Sequence, residues 1–360
     1  MNLHPRKRNS NERGSILIWV ALFMIVMLAF VALGVDGAKL MATRTQLQNA
    51  ADAGALAGAS AVNPTTGLID QAEATPLAQA TAASNKAFIG ETSPVLNAVV
   101  TFPSPTQCKV DVTRSGSTAI VTHIAQVVGV NTLNSDATAT AGLERPDCVR
   151  GLRPLGVAGV NADSLVRGNE YKLTYNNPNP ANYQHLDLSQ ICPPLPAGEA
   201  ACGGSSGCNL LKDMIKFGCG SCIPMDRYIR VEPGVCQGPV DQGITYLFGQ
   251  DEVKEPYPAS QSNAYLQYHA DGGNDSRVVV VPIVDFYRDC SPNNPCVFDG
   301  KSTGCNGSNA WGKVKGFAAF FLKRPLVNGK DDFYGEFIDF VVPGEGSGGN
   351  GTVFTLKLIK

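Results

Sequence analysis

The chain has 360 residues, and its 29 Lys and Arg residues against 31 Asp and Glu residues give a formal net charge of −2. It therefore lacks the basic field that nucleic acid requires, and nucleic acid is not expected among its partners. The length leaves room for an anchor and one or two folded units. The 38 glycines and 23 prolines favour a loop-rich, largely β body, and the 11 cysteines suit an oxidising compartment.

The first predicted element is an uncharged apolar stretch of 20 residues, Ile16 to Val35. An α-helix needs about this length to cross the hydrocarbon core of a bilayer. Basic residues cluster just before it, within residues 6–13, and Trp19 stands near its start, where aromatic rings favour the headgroup level. This asymmetry predicts a single-pass membrane protein, with its N-terminus in the cytoplasm and its body on the other side of the membrane.

A cleaved signal peptide is the alternative interpretation of this segment. Signal peptides have an apolar core of roughly 7–15 residues, followed by a cleavage site of small residues. The apolar run is longer here, and a helical pattern continues beyond Val35. The sequence therefore favours a retained anchor that has the lipid bilayer as its first partner.

Beyond the apolar stretch, the helix is predicted to continue to Val62. Four residues are predicted to share one packing face: Leu40, Leu47, Gly54 and Gly58. Small residues on such a face let another backbone approach closely. Periodicity does not name the partner, so the chain's own body and a second protein both remain open. The predicted segments are a cytoplasmic tail at 1–13 and a transmembrane helix with a helical extension at 14–62.

A small α+β unit is predicted for residues 63–145. Thr75 and Pro76 are typical of a helix start, and Gly90 is typical of a helix end. A short helix is expected over Ile120–Val128. The predicted strands are Val95–Phe102, Gln107–Arg114 and Asp136–Ala141.

Residues 146–360 are predicted to form a β-rich, cysteine-rich exported domain, because short β-type runs alternate with turns rich in Gly, Pro and Asn. One helix is evident, at Asn209–Phe217. The clearest strands are Glu170–Tyr175, Arg277–Asp285, Lys313–Leu322, Phe333–Val342 and Thr352–Ile359.

Nine cysteines of this domain are predicted to form disulfides, because they lie in turn-rich sequence where a core cannot hold the chain. They are Cys192, Cys202, Cys208, Cys219, Cys222, Cys236, Cys290, Cys296 and Cys305. Cys108 and Cys148 stand apart, and the odd total leaves at least one thiol free or paired between chains. A zinc site among Cys202, Cys208, Cys219 and Cys222, or a redox pair at Cys219 and Cys222, remain alternatives.

Residues 203–207 match the pattern of a nucleophile elbow around Ser205. That chemistry needs a buried strand leading into the turn and a histidine that follows the serine. No such strand precedes Ser205, and His185 lies upstream. We therefore predict no catalytic, cofactor or metal site and a non-enzymatic protein, and we keep a membrane-tethered exported hydrolase as the alternative.

Four features of the N-terminal segment occur together: Arg13-Gly14-Ser15, the apolar span, Val35-Asp36-Gly37, and the run Leu47 to Ala53. In this combination, residues 13–62 resemble the N-terminal module of TadE/TadG-like Flp pilus-assembly proteins. More loosely, segments 231–239, 277–285 and 314–322 are similar to recurrent features of TadG-like exterior domains. The resemblance implies a structural or scaffolding role in the cell envelope, with other Tad/Flp proteins as partners and self-association as an option.

Two departures from the family limit what the resemblance implies. Some TadG-like proteins carry a von Willebrand A domain whose metal site begins with Asp-x-Ser-x-Ser; this string does not occur, so neither the domain nor its metal is carried over. Processed pilins of this system have a glycine followed five residues later by glutamate. Here Gly14 is followed at that distance by Trp19, so the helix is expected to stay uncut.

Overall fold

The computed structural model describes these parts of the chain: residues 13–85, 97–158, 165–175, 182–192, 202, 207–232, 236–293, 295, 310–325 and 333–359. Its first element is one continuous helix of 48 residues, α1 (Arg13–Ser60), about 72 Å long at 1.5 Å per residue. The helix contains no proline, and its second half is rich in alanine, the strongest helix former. The predicted continuation of the apolar helix beyond Val35 is confirmed.

Helix α2 (Gln71–Ser84) packs against the second half of α1. The Asp70 carboxylate caps α2 by accepting two backbone N–H groups, at 3.0 and 3.4 Å. The predicted start at Thr75–Pro76 is wrong, because Asp70 supplies the cap upstream and Pro76 lies inside the helix. The predicted end at Gly90 falls outside the described residues.

The predicted hairpin is present, as β1 (Asn97–Ser104) and β2 (Gln107–Arg114). Burial alternates along β2, whose Cys108, Val110 and Val112 are fully buried. This is the period of two that a strand with one buried face requires.

Between β2 and the next long strand lie two short paired strands, β3 (Ile120–Val121) and β4 (Thr132–Leu133). They flank a 3-10 turn at Ala125–Val128, which ends at Gly129 with φ +88°. The predicted short helix over Ile120–Val128 is therefore wrong in its first half, because the first two residues pair with β4 instead.

Strand β5 (Ser135–Glu144) contains the predicted strand at 136–141 and pairs antiparallel with β2 along its length. Helix α1 packs on both β2 and β5. Small side chains dominate the core between the two helices and this sheet. Its fully buried alanines are Ala50, Ala51, Ala55, Ala59, Ala74, Ala78, Ala82 and Ala141.

The rest of the described chain alternates strands with three helices. The helices are α3 (Gly207–Phe217), α4 (Gln237–Gln250) and α5 (Ala264–Ala270). The first six strands are β6 (Cys148–Val149), β7 (Leu155–Ala158), β8 (Glu170–Tyr175), β9 (Asn182–Cys192), β10 (Ile223–Pro224) and β11 (Tyr228–Val231). The last six are β12 (Val278–Tyr287), β13 (Trp311–Leu322), β14 (Phe333–Ile338), β15 (Phe340–Val341), β16 (Gly344–Glu345) and β17 (Val353–Ile359).

Seven of these strands form one sheet in the order β11–β13–β12–β7–β9–β8–β14. Because β11 also pairs with β9, the backbone hydrogen bonds of β11, β13, β12, β7 and β9 close into a ring. Closure leaves those strands without a free edge for non-specific pairing. Alternate residues of β12 serve different cores: Val279 packs with α3 and α4, and Val280 packs with the tyrosines of α5.

Helices α4 and α5 were not predicted from the sequence. The sequence of α4 contains Pro239 and three glycines, which are weak helix formers. Packing compensates, because Gly243 lets Ile215 of α3 approach so closely that a Cβ atom would lie 2.6 Å from Ile215 Cγ2. Helix α5 is only 7 residues long. Buried Glu336 accepts the backbone N–H groups at its start, at 2.7 and 3.3 Å.

The predicted strand Phe333–Val342 is divided in two. Its break is at Asp339, whose backbone N–H leaves the ladder and donates to the carbonyl of Pro64 at 2.8 Å. The Asp339 carboxylate also pairs with Arg167. This contact ties the chain after α1 to the seven-stranded sheet.

The C-terminal strand joins the two parts of the protein. Strand β17 pairs antiparallel with β5 and so completes the sheet under α1, giving the order β1–β2–β5–β17–β15. The sequence grouped residues 352–359 with the exported domain of residues 146–360, whereas their strand lies in the sheet of the 63–145 unit. The reason is non-local: Thr355 to Ile359 match β5 in register, and no local pattern encodes that pairing.

Candidate functional site

The N-terminal half of α1 is an exposed apolar surface. Every side chain from Ile16 to Val31 is exposed, with Ile16 at 68% and Trp19 at 72%; Val35, at the end of the span, is 47% exposed. By length and composition, this helix is able to cross a membrane. Water contact with so many apolar side chains is unfavourable, so this surface is suited to an apolar environment.

Directly after the apolar stretch, Asp36 binds a distant part of the chain. Its carboxylate accepts the backbone N–H groups of His123 at 2.9 Å, Ile124 at 3.0 Å and Ala125 at 2.7 Å. These donors begin the 3-10 turn between β3 and β4. The hydrogen bonds, that from His123 foremost, hold the pKa of Asp36 below its ordinary value.

Lys39, one turn further along α1, reinforces this contact. Its Nζ donates to the carbonyl of Val121 at 2.8 Å and lies 3.4 Å from Nε2 of His123. We call residues 120–133 the clamp segment. Asp36 and Lys39 therefore fix the clamp segment to the point where the apolar span ends.

The predicted packing face of α1 lies against the chain's own body. Leu47 is fully buried, Leu40 is half-buried, and Gly54 and Gly58 are buried. A Cβ atom on Gly54 would lie 3.1 Å from the carbonyl oxygen of Ala78 in α2. Of the two partners left open by periodicity, the structure places the body of this chain on Leu47, Gly54 and Gly58.

Three disulfides join the turn-rich region between β6 and α4. They are Cys148–Cys222, Cys202–Cys219 and Cys208–Cys236, with Cα–Cα distances of 5.5, 5.5 and 5.3 Å. Five of these six residues belong to the predicted disulfide set. The sixth, Cys148, was set apart in the sequence, and its pairing with Cys222 corrects that separation.

Among the described cysteines, Cys108, Cys192 and Cys290 form no disulfide. The prediction of disulfides for Cys192 and Cys290 is therefore wrong in this structure, although the two side chains share a hydrogen bond. Burial raises the pKa of the Cys108 thiol to about 11. The predicted disulfide residues Cys296 and Cys305 lie outside the described residues.

The disulfide pairings do not favour the two alternatives for the cysteine cluster, a zinc site and a redox pair. Cys202, Cys208, Cys219 and Cys222 are all oxidised, so none offers the thiolate that zinc requires. Cys219 and Cys222 bond to different partners instead of each other. Ser205 lies outside the described residues. His185 is fully buried in β9, where burial lowers its pKa to about 4.

Sequence reasoning missed the Asp36 contact with the clamp segment. In the sequence, Asp36 is notable only as part of Val35-Asp36-Gly37. A carboxylate directly after an apolar span was the available indication, because such a group needs donors when it is buried. Its partners lie more than 80 residues away in sequence, at separations of 87 to 89, which no local pattern reveals.

Comparison with known proteins bears on α1. The model of the Tad family, described as Flp pilus-assembly TadE/G-like, matches residues 14–61, offset by one residue at each end from α1 at Arg13–Ser60. No curated protein and no solved structure matches the chain. The match, together with the apolar helix and the disulfide-bonded β-rich region behind it, supports a pilus-assembly role. This chain carries, at residues 14–61, a TadE/G-like Flp pilus-assembly domain.

Proposed function

We propose that this protein is a structural or scaffolding component of a Flp/Tad pilus-assembly or secretion system, held in the bacterial inner membrane by one helix. The observation that carries the proposal is that the TadE/G-like match coincides with α1. In this helix, an exposed apolar half adjoins a half that is built into the protein's own fold.

The anchor is proposed to be Ile16–Val35. Twenty residues at 1.5 Å per residue span about 30 Å, which equals the thickness of the hydrocarbon core. Trp19 lies within the first turn of this span, at the proposed cytoplasmic interface. Because α1 is continuous, a span held in lipid would position the α+β unit directly above the membrane.

The body is proposed to lie outside the cytoplasm. The basic cluster at residues 6–13 supports a cytoplasmic N-terminus. Three disulfides support an oxidising compartment for the β-rich region, since cytosolic reductants keep thiols reduced.

The buried face of α1 is not accessible to other proteins. Leu47, Gly54 and Gly58 are covered by the chain itself, so contacts with other pilus-assembly proteins are proposed to use the apolar span or the surface of the body. Self-association of the chain stays a prediction.

Co-purification tests the proposal. The full chain would be isolated from native membranes after mild cross-linking, and captured proteins would be identified by mass spectrometry. The matched control replaces Ile16–Val35 with the span of an unrelated single-pass protein of the same orientation. We expect the full chain to capture other Tad/Flp components. If the span makes the contacts, the control chain should capture fewer of them. If the body makes the contacts, both chains should capture the same amount. Capture of none by either chain would contradict the proposed role.

The proposed role is non-enzymatic. A fluorophosphonate probe, which labels activated serines covalently, tests this part on the folded chain and on the Ser205→Ala variant. We expect no labelling that depends on Ser205. Labelling of the full chain that Ser205→Ala abolishes would instead support a membrane-tethered hydrolase.

A further inference from the structure

The clamp segment lies within a long uncharged part of the body. No Asp, Glu, Lys or Arg occurs between Arg114 and Asp136, although charged residues make up 17% of the chain. Within residues 120–133, IVTHIAQVVGVNTL, seven of the fourteen residues are Ile, Val or Leu. An exported surface loop of this composition is unusual, because surfaces carry most of a protein's charge.

Part of this apolar content is exposed. Val121, in β3, is 44% exposed, and Val130, two residues before β4, is 41% exposed. The backbone of the segment is held internally, for example by the Thr122 N–H, which donates to the carbonyl of Asn131 at 3.1 Å. The two exposed valines therefore project from an ordered turn, and we call them the apolar patch.

The contacts with α1 determine how far this patch lies from the end of the apolar span, measured along the helix axis. Asp36 follows the span by one residue and Lys39 by four, which places them about 1.5 and 6 Å beyond its end along the helix axis. The headgroup layer on each side of a bilayer is about 5–8 Å thick, from the difference between the core and the full thickness. With Ile16–Val35 in the hydrocarbon core, the segment held by Asp36 and Lys39 lies at headgroup level.

We propose that the clamp segment is a second membrane contact, in which Val121 and Val130 insert into the outer interface of the bilayer beside α1. This inference rests on the proposed anchor. The occupant of the patch is lipid, because Asp36 and Lys39 hold the segment directly beyond the exposed apolar span and the clamp segment itself contains no Asp, Glu, Lys or Arg. Two contacts, a helix and a loop beside it, fix the tilt of the body on the membrane.

Tryptophan quenching by brominated lipids tests this contact in the full chain, reconstituted into phosphatidylcholine vesicles. A parent chain with Trp19→Phe and Trp311→Phe, checked for its fold by circular dichroism, removes the native tryptophans. Into it are introduced Val121→Trp, Val130→Trp, Ile25→Trp or Leu266→Trp, one at a time. All four positions are at least 41% exposed, so the larger ring is tolerated.

The four positions report on different depths. Ile25 lies mid-span. Leu266 shares a cavity of about 500 Å³ with Ser60 at the far end of α1, about 36 Å from Asp36 along the helix. We expect shallow-brominated lipid to quench Trp at 121 and 130 more than deep-brominated lipid. The order is reversed at 25, and neither lipid quenches at 266.

The outcomes separate the two proposals. Quenching at 25 without quenching at 121 and 130 overturns the membrane contact and leaves the anchor standing. Absence of quenching at 25 overturns both. If Trp at 121 is shielded from aqueous iodide but not quenched by lipid, a second copy of the chain covers the patch and the inference is wrong. When Asp36→Asn is added to each reporter chain, we expect less quenching of Trp at 121 and 130 and unchanged quenching of Trp at 25.

Discussion

Gly58 of α1 faces Cys108 of β2 so closely that a Cβ atom on Gly58 would stand 2.5 Å from Cys108 Sγ. The sulfur is fully buried and carries no disulfide. The small residues of α1 thus let the helix lie directly on the sheet of its own body. This contact packs α1, the helix matched by the TadE/G-like family model, directly on the first sheet.

Replacement of Gly58 tests that contact. Gly58→Ala is expected to lower the free energy of unfolding by about 1–3 kcal/mol, as overpacked cores do, despite the better helix propensity of alanine. Gly37→Ala is the matched control in the same helix, because nothing lies within 4 Å of the added Cβ atom. It should stabilise by up to about 1 kcal/mol. Denaturant unfolding in detergent measures both variants.

A second substitution identifies the clashing atom. Adding Cys108→Ala to Gly58→Ala removes the sulfur and should recover part of the lost stability, which a double-mutant cycle quantifies. Equal effects of Gly58→Ala and Gly37→Ala would contradict the internal contact and favour an external partner for this face.

The sequence predicted this helix well because its determinants are local. An uncharged stretch, a run of alanines and the absence of proline specify α1 and its apolar half without reference to other residues. The partner of its small-residue face was left open, since Gly58 carries no information about Cys108, 50 residues away in a strand. The same limit hid the pairing of Thr355 with Glu144 that brings the last strand to the first sheet.

Asp36 is expected to protect the clamp segment from hydrogen exchange. In Asp36→Asn, one acceptor oxygen becomes a donor, so the amides of His123, Ile124 and Ala125 should exchange roughly tenfold faster or more at neutral pH. Asp52→Asn is the control on the same helix, where the only described partner of the carboxylate is the Gln48 side chain at 2.8 Å. Exchange is followed by mass spectrometry on peptides covering residues 120–133.

The protection has a defined pH dependence. The pKa of Asp36 is lowered in the folded protein, so its stabilising effect is present above its ordinary value near 3.8 and is lost as pH falls through the lower folded value. The ratio of exchange rates between Asp36→Asn and the unmodified chain should therefore be constant from pH 7 to about 4 and approach one below that. A ratio that already declines at pH 6 would implicate another group.

The three disulfides are expected to differ in their contributions. Their sequence separations are 74, 28 and 17 residues for Cys148–Cys222, Cys208–Cys236 and Cys202–Cys219. Loop-closure entropy then predicts losses of about 4.4, 3.6 and 3.1 kcal/mol on removal. Unfolding of three double-alanine variants tests this order, and a smallest loss for Cys148–Cys222 would contradict it.

The disulfide region shows why the partner of each cysteine could not be predicted from the sequence. The clustering of Cys202, Cys208, Cys219 and Cys222 predicted cross-links correctly. It suggested nothing about Cys148, which joins Cys222 because β6 pairs with β10 in space. Helix α4 was missed for a related reason: its glycines weaken local propensity, and tertiary packing supplies the stability.

Arg277 forms the most buried ion pair among the described residues. It donates to Asp251, both side chains being fully buried, and its guanidinium lies 4.8 Å from the ring centre of Phe248 and 5.2 Å from that of Tyr268. Arg277→Met removes the positive charge and leaves the buried Asp251 carboxylate without this partner, so we expect a loss of about 3–5 kcal/mol.

An exposed pair provides the comparison for Arg277. Lys357→Met breaks the bond of Lys357 to Glu144, where the lysine side chain is 56% exposed. Its cost should be about 0–1 kcal/mol. Thermal unfolding of both variants measures the difference, and similar costs would contradict the structural importance assigned to the buried pair.

The topology of the full chain in native membranes tests the central claim most directly. Alkaline phosphatase, which is active only where its disulfides form outside the cytoplasm, is fused after Lys360, and membranes are then extracted with alkaline carbonate. The account predicts an active fusion that stays in the membrane pellet, because Ile16–Val35 spans the bilayer and the body is exported. An inactive fusion, or an active one released into the supernatant, would contradict it.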